Sequence, residues 1–266
     1  MILLSILDEI PLYTLIAITG LAFIAGFLDA VVGGGGLIQL PALLINFPKE
    51  PIATLFGTNK IAAFSGTSVA AFGYAKRIRF NPALLLVISL AAFGASYLGA
   101  KAVSKLDVSI LKPVILVILI SIAIYTYFKK ELGAEKTKSL PTRQLLLYGA
   151  LIGIVVGFYD GFFGPGTGSF LVLGFVVILG FDFLHASAYA KIVNCFTNFS
   201  ALLVFIKQGN YLLSVAILMA AFNVLGNILG TKMALKRGNG FVRIVFLIIV
   251  GIMIIRYAYD VFTLKN

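Results

Sequence analysis

The sequence predicts an all-α integral membrane protein made of two homologous halves, and three observations carry the prediction. Apolar residues make up 61% of the chain and charged residues only 12%, with a mean hydropathy of +1.07, too little polar surface for a soluble domain. The apolar residues lie in continuous runs near the roughly 17 to 25 residues a helix needs to cross hydrocarbon, not in the alternation of barrel strands. Finally, the chain repeats itself. At an offset of 131 positions, Gly26-Phe27-x-Asp29-x-x-x-Gly33-x-Gly35 falls on Gly157-Phe158-x-Asp160-x-x-x-Gly164-x-Gly166.

The same offset pairs Lys60-Ile61 with Lys191-Ile192, Lys76 with Lys207, Leu98-Gly99-x-Lys101 with Leu229-Gly230-x-Lys232, and Lys105 with Lys236. Glycine, aspartate and lysine are scarce or positionally constrained in such a chain, so their shared register marks a duplication. It divides the chain into a first transmembrane repeat at 10–128, a polar connector KKELGAEKTKSLPTR at 129–143, and a second repeat at 144–262.

Each half reads as five apolar segments. A first helix, Leu12–Val32 or Leu145–Phe163, ends at the glycine motif. A short run follows, Leu37–Phe47 or Ser169–Phe181, and then three longer segments, among them Leu84–Ala100, Ile110–Phe128, Leu212–Leu229 and Phe241–Phe262. A dozen residues at about 1.5 Å each cannot cross the bilayer, so each short run is a broken half-helix or the return arm of a re-entrant hairpin. Gly33–Gly36 and Gly164–Gly168 are the breaks, and non-helical backbone at that depth belongs inside protein or beside a cavity. An odd number of crossings per half makes the repeats inverted. Placing the loops at 76–79, 129–143 and 232–243 in the cytoplasm gathers most lysines and arginines there, slightly better than a parallel arrangement does.

The net charge of +11 resides in short loops that set topology, so nucleic acid is not an expected partner. The single cysteine, Cys195, excludes an intramolecular disulfide and a multi-cysteine metal site, and reads as a small buried packing residue. Asp8 and Glu9 precede the first apolar run where a secretory signal would carry basic residues, so that run reads as a mature helix. Tryptophan is absent, which leaves interfacial anchoring to tyrosines such as Tyr125, Tyr127, Tyr257 and Tyr259. One histidine, one cysteine and no zinc-type spacing argue against an intramembrane enzyme or metal centre. The glycine motifs lack the Lys-Ser/Thr of a nucleotide-binding loop, so no cofactor is expected and transport energy would come from an ion gradient.

The chemistry concentrates on the twin lysines. An ammonium in a membrane-spanning segment is costly, and a matched pair points to one site shared by two repeats. Lys60 follows Thr58-Asn59 and precedes Ser65 and Thr67, while Lys191, Asn194 and Asn198 share one helical face. A cation with amides and hydroxyls suits an oxyanion. The expected substrate-binding set is Asn59, Lys60, Ser65, Thr67, Lys191, Asn194 and Asn198, joined by the amide pair Asn223 and Asn227 and by the backbone at Gly35, Gly166 and Thr167. Competing readings are lysines paired with buried aspartates or snorkelling to an interface, and amides that bond neighbouring helices. Asp29 and Asp160 are caps on backbone N–H groups freed by the glycines, proton carriers, or counter-ions of the lysines. Gly94, Gly99, Gly226 and Gly230 are close-packing positions, compatible also with a homodimer. His185 beside Asp182 reads as an interfacial hydrogen-bonding residue.

GFLDAVVGGGGLIQLPALL at 26–44, GTNKIAAFSGTSVAAFGY at 57–74, GFYDGFFGPGTGSFL at 157–171 and SAYAKIVNCFTNFSALLVF at 187–205 resemble the TauE/SafE family of sulfite exporters, also called the 4-toluene sulfonate uptake permease family. The resemblance covers essentially the whole chain, and its most specific parts are G-x-x-D-G-x-x-G-P-G-x-G in the second half and T-N-K in the first. It implies a bacterial or archaeal inner-membrane carrier for small organosulfur or carboxylate anions, in either direction. It also places Asn59, Lys60 and Lys191 at polar signature positions and Gly164–Gly168 in the family's loop. Ala190 stands where Asn59 would have its twin, so the site is expected to be asymmetric. The combined expectation is a proton-coupled secondary transporter with a midplane site. The alternatives are a passive anion channel, a carboxylate or other small-anion permease, and a cation transporter using the two aspartates, against which stand two buried lysines.

Overall fold

A computed structural model describes residues 11–103 and 140–263; Asp8, Glu9, Lys105, Tyr125, Tyr127, the segment 110–128 and residues 129–139 of the connector lie outside them. Eight helices make up the regular structure of the described residues: α1 Leu12–Val32, α2 Gly36–Asn46, α3 Ile52–Ala75, α4 Pro82–Ala102, α5 Thr142–Phe162, α6 Thr167–Val177, α7 Phe183–Lys207 and α8 Leu213–Thr263. Their starts are set locally. Pro11, Pro51 and Pro141 precede α1, α3 and α5, and the side chains of Asn81 and Asp182 accept the N–H groups of Leu84 and His185 as N-caps of α4 and α7.

Helices α1, α4, α5 and α7, and α8 through Leu213–Ile252, are long and apolar enough to cross a membrane. α2 and α6 have 11 residues each, about 16 Å, or roughly half the hydrocarbon thickness. α1 stops at Gly33, whose φ of 82° closes the helix, and α5 gives way to Gly164 and Gly166, with φ of 90° and 82°. After each break the chain doubles back. Leu40 and Leu43 of α2 pack with Ile18 and Ala22 of α1, and Phe170 of α6 stands edge-on to Tyr159 of α5. The two breaks meet: a Cβ on Gly33 would overlap the Gly168 backbone and one on Gly168 would overlap Gly33.

The sequence reading separates Leu212–Leu229 from Phe241–Phe262 by a basic loop at 232–243. The two segments are separate helical stretches as read, but a single non-helical residue, Gly238 (φ 68°, ψ −158°), divides them in place of a loop. Lysine, arginine, alanine and leucine are good helix formers, so the charged stretch stays helical on either side of the break at Gly238. Beyond it, Val242, Phe246, Ile249 and Val250 enter the same core cluster as Val31, Val32 and Phe183.

Contacts fix the helix directions. α3 and α7 run antiparallel: Phe64 stacks on Phe199 at 5.4 Å and Ser68 Oγ meets Cys195 Sγ at 3.3 Å, while Gly57 lies against Phe205. α4 and α5 run parallel, with Gly153, Gly157 and Gly161 pressed successively on the backbones of Ile88, Ala92 and Ser96. α1 and α8 are also parallel, with Gly226 against Phe23 and Gly230 against Phe27. Gly99, Gly226 and Gly230 thus serve close packing within the chain, but Gly94 faces open space, because the α4–α5 contact runs along a different side of the helix. Cys195 is half-buried rather than fully buried, since it lies on the flank of the α3–α7 contact facing Ser68.

These directions collect Lys76, Arg77, Arg79, Arg143, Lys232, Lys236, Arg237 and Arg243 at one end of the bundle, where α3 ends, α4, α5 and α7 begin and α8 bends. Lys49, Lys101 and Lys207 lie at the other.

Candidate functional site

Because α3 and α7 cross antiparallel, their buried lysines arrive at one level, and the glycine breaks deliver Asp29 and Asp160 beside them. The pairing is crossed. Lys60 Nζ, on α3, donates to Asp160 Oδ2 at 2.7 Å and to Asn198 Oδ1 at 2.9 Å. Lys191 Nζ, on α7, stands 3.1 Å from Asp29 Oδ1, whose other carboxylate oxygen accepts the Thr67 hydroxyl at 3.0 Å. Each lysine therefore meets the aspartate of the opposite half. The two pairs are unequal: the Lys191 contact is ionic but not aligned as a hydrogen bond, although that ammonium is wholly buried.

Both carboxylates are counter-ions. At Asp29 the main-chain carbonyl, not the carboxylate, takes the Gly33 N–H at 2.8 Å, and the Gly164 N–H goes to the Tyr159 carbonyl at 3.1 Å. The backbone-cap role raised by the sequence is thus filled by main-chain carbonyls.

Asp29, Gly35, Asn59, Lys60, Asp160, Thr167, Asn194, Asn198 and Asn223 line one small cavity, together with Gly33, Gly36, Gln39, Ala63, Gly164 and Gly168. Its free volume, about 20 Å³, is room for one or two waters. α2 and α6 begin at this cavity, so the partial positive charge of two helix N-termini faces it. Larger cavities of about 400 and 320 Å³ lie on the α5–α6 face and at the basic end, but the buried charges converge on the small one.

Buried polar atoms in proteins are almost always hydrogen-bonded, so the exceptions are informative. Here Asn59 Oδ1, Gln39 Nε2 and Asn227 Oδ1 are buried without a partner at or beside the cavity. Asn194 Oδ1 accepts from Thr197 and Asn198, and Asn223 holds both the Ala22 carbonyl and Gln39 at 3.4 Å.

Of the expected residues, Lys191 and Thr67 meet Asp29 without lining the cavity, and three more stand apart. The Ser65 hydroxyl turns back to the Ile61 carbonyl at 2.9 Å, as helix hydroxyls do when their own helix offers an acceptor. Asn227 donates to Asn223 at 2.8 and 3.0 Å behind the cavity wall. Gly166 forms the left-handed turn that starts α6 rather than a wall. Thr167 lines the cavity with its hydroxyl already committed to the Gly164 carbonyl at 2.6 Å. Sequence reasoning missed Gln39, whose signal is an amide inside an otherwise apolar first turn of an 11-residue helix.

At the basic end Asp182 is engaged by His185, whose N–H and ring Nδ1 lie 2.9 and 2.6 Å from its carboxylate. Burial pushes the Asp182 carboxyl up, but these hydrogen bonds outweigh it and hold the pKa below the usual carboxylate range. Among the described residues no group of three or more His, Cys, Asp or Glu is placed to hold a metal.

The family model described as sulfite exporter TauE/SafE matches residues 18–257. The chain belongs to the TauE/SafE family. It is 37% identical over 238 residues to a probable membrane transporter protein of Haemophilus influenzae, covering 90% of this chain and 92% of that one. It is also 33% identical over 243 residues to the probable membrane transporter protein YfcA of Escherichia coli, covering 90% and 87%, and 24% identical over 246 residues to a probable membrane transporter protein of Methanocaldococcus jannaschii, covering 87% and 90%. No solved structure matches the chain. With five helices of spanning length and hydropathy, this TauE/SafE member is a multi-pass membrane protein.

Proposed function

We propose that this protein is a secondary transporter for a small organosulfur anion of the sulfite, sulfonate or sulfoacetate type, bound between its two halves where aspartates now hold the buried lysines. The crossed pairs Lys60–Asp160 and Lys191–Asp29 carry this reading. A buried ion pair is weak support for stability, since desolvation offsets most of its attraction, so two of them in membrane-embedded helices call for a functional purpose. Asn59, Gln39 and the loosely held Lys191 offer unpaired hydrogen-bonding groups beside them. A cavity of about 20 Å³ is too small for a sulfur oxyanion, so binding requires an ion pair to part and the walls to move.

Two lysines and two aspartates make the site neutral. An arriving monoanion is balanced most simply by a proton on the carboxylate it displaces, which makes Asp29 and Asp160 the proton-coupling residues. The two halves act as inverted repeats. Equivalent helices α3 and α7 run antiparallel, and α4 on α5 is repeated by α8 on α1, which supports alternating access by movement of one half against the other. The basic end lies in the cytoplasm, following the positive-inside bias. The names of the relatives agree with transport.

Uptake of labelled sulfite into proteoliposomes tests the reading. An imposed pH gradient should drive it, and Asp29→Asn and Asp160→Asn should retain anion exchange while losing gradient dependence. Gradient-driven uptake unchanged in both variants removes proton coupling. Flux without counterflow acceleration makes the protein a channel, and stronger competition by acetate or lactate than by sulfonates makes it a carboxylate permease.

A further inference from the structure

The geometry points to a binding site for an anionic phospholipid, apart from the lysine–aspartate centre, in which a polar cavity at the basic end takes the headgroup phosphate and an apolar groove between α5 and α6 takes an acyl chain. The polar cavity, about 320 Å³, has Arg79, Asn81, Asp182, His185 and Tyr189 in its walls. Arg79 is exposed and has no ion-pair or hydrogen-bond partner among the described residues. The Tyr189 hydroxyl accepts the Asn81 N–H at 2.7 Å, leaving its own proton to donate. Asp182 is occupied by His185, so it leaves the Arg79 guanidinium open to a phosphate.

The groove, about 400 Å³, runs from Tyr148 to Tyr159 on α5 and is closed on the other side by Phe170 and Gly174 of α6 and by Ile178 just past its end. The cavities adjoin along α5 and along the segment that follows α6. Leu145 and Phe181 belong to the polar one, and Tyr148 and Ile178, one turn deeper, to the groove. Tyr148 to Tyr159 is about 16 Å of helix, close to one leaflet of a hydrocarbon core about 30 Å thick. Leu151, Val155 and Ile178 are exposed, so the groove opens outward to the bilayer.

Gly174 keeps one wall of the groove free of a side chain. A Cβ there would come 3.1 Å from Ile152, and the position 131 residues earlier carries Leu43, fully buried against α1. At this position the two halves differ, with glycine in the groove wall here and a buried leucine at the matching place in the first half. Lys76 and Arg77 beside the headgroup cavity add attraction for anionic lipid.

The test is the melting temperature of the detergent-purified full chain with phosphatidylglycerol, phosphatidylcholine of the same acyl chains, or inorganic phosphate, for wild type, Arg79→Gln and Gly174→Leu. Phosphatidylglycerol at ten times its dissociation constant should raise wild-type Tm by about 3–6 °C, well beyond phosphatidylcholine. Arg79→Gln should reduce that shift to the phosphatidylcholine value, and Gly174→Leu should reduce the response to both lipids. Equal shifts from both lipids in wild type, or a phosphatidylglycerol preference that survives Arg79→Gln, overturns the proposal. So does a full shift from inorganic phosphate alone, or a wild-type dimer that Gly174→Leu dissociates. If Gly174→Leu does not fold, Arg79→Gln decides alone.

Discussion

Lys60 and Asp160 hold each other shielded from bulk solvent, so removing one partner is worse than removing both. Lys60→Gln leaves a buried, unpaired carboxylate and should destabilise by about 3–5 kcal/mol, whereas Lys60→Gln with Asp160→Asn should recover most of the loss. Thermal unfolding in detergent reads this cycle; simply additive losses would mean the pair is not coupled. At the membrane surface Asp182 behaves differently. Its folded pKa lies below the unfolded value, so its stabilisation is present above the ordinary carboxylate range and is lost as pH falls through the folded pKa. Asp182→Ala should therefore lower Tm at neutral pH, by about 1 kcal/mol of capping, with the gap to wild type closing below about pH 4. A pH-independent gap would contradict the capping account. The lysines and aspartates were legible in the sequence because charge is rare in apolar segments and theirs recurs at a fixed offset. Their crossed partnership was not legible, since it depends on how the halves face each other. Gln39 escaped notice because its counterpart at that offset is Phe170, while Ser65 had suitable spacing but bonds its own helix, and Asn227 turns its amide N–H groups to Asn223.

At the scale of helices, small residues set the contacts. Gly157 lets α5 press on the Ala92 backbone, whereas Gly94, nearby on α4, has nothing within reach. Gly157→Leu should cost at least the roughly 1–3 kcal/mol typical of overpacking, because the obstructing atoms are backbone, while Gly94→Leu should leave Tm nearly unchanged. Similar losses at both positions would refute this picture of the α4–α5 contact. Helix lengths were readable from the apolar runs, including the two short helices after the glycine breaks. The helicity of the basic stretch up to the break was not, because such a stretch has the composition of a loop and of a solvated helix alike, and only the backbone angles at Gly238 mark where one helix ends and the next begins.

Over the whole molecule, the concentration of basic residues at one end sets the expected orientation. In a Cys195→Ala background, a cysteine at Lys76 should react with a membrane-impermeant maleimide only after the cells are opened, and one at Gln208 should react in intact cells; the reverse pattern would invert the topology. The central claim is that both halves contribute a lysine to one anion site. It is tested most directly by the melting-temperature shift of purified protein against sulfite, sulfate, thiosulfate, sulfoacetate, taurine, acetate, lactate and chloride, with Lys60→Gln and Lys191→Gln alongside. The account predicts a selective upward shift with organosulfur anions that both substitutions abolish. A shift that survives both, or none with any anion, would contradict it.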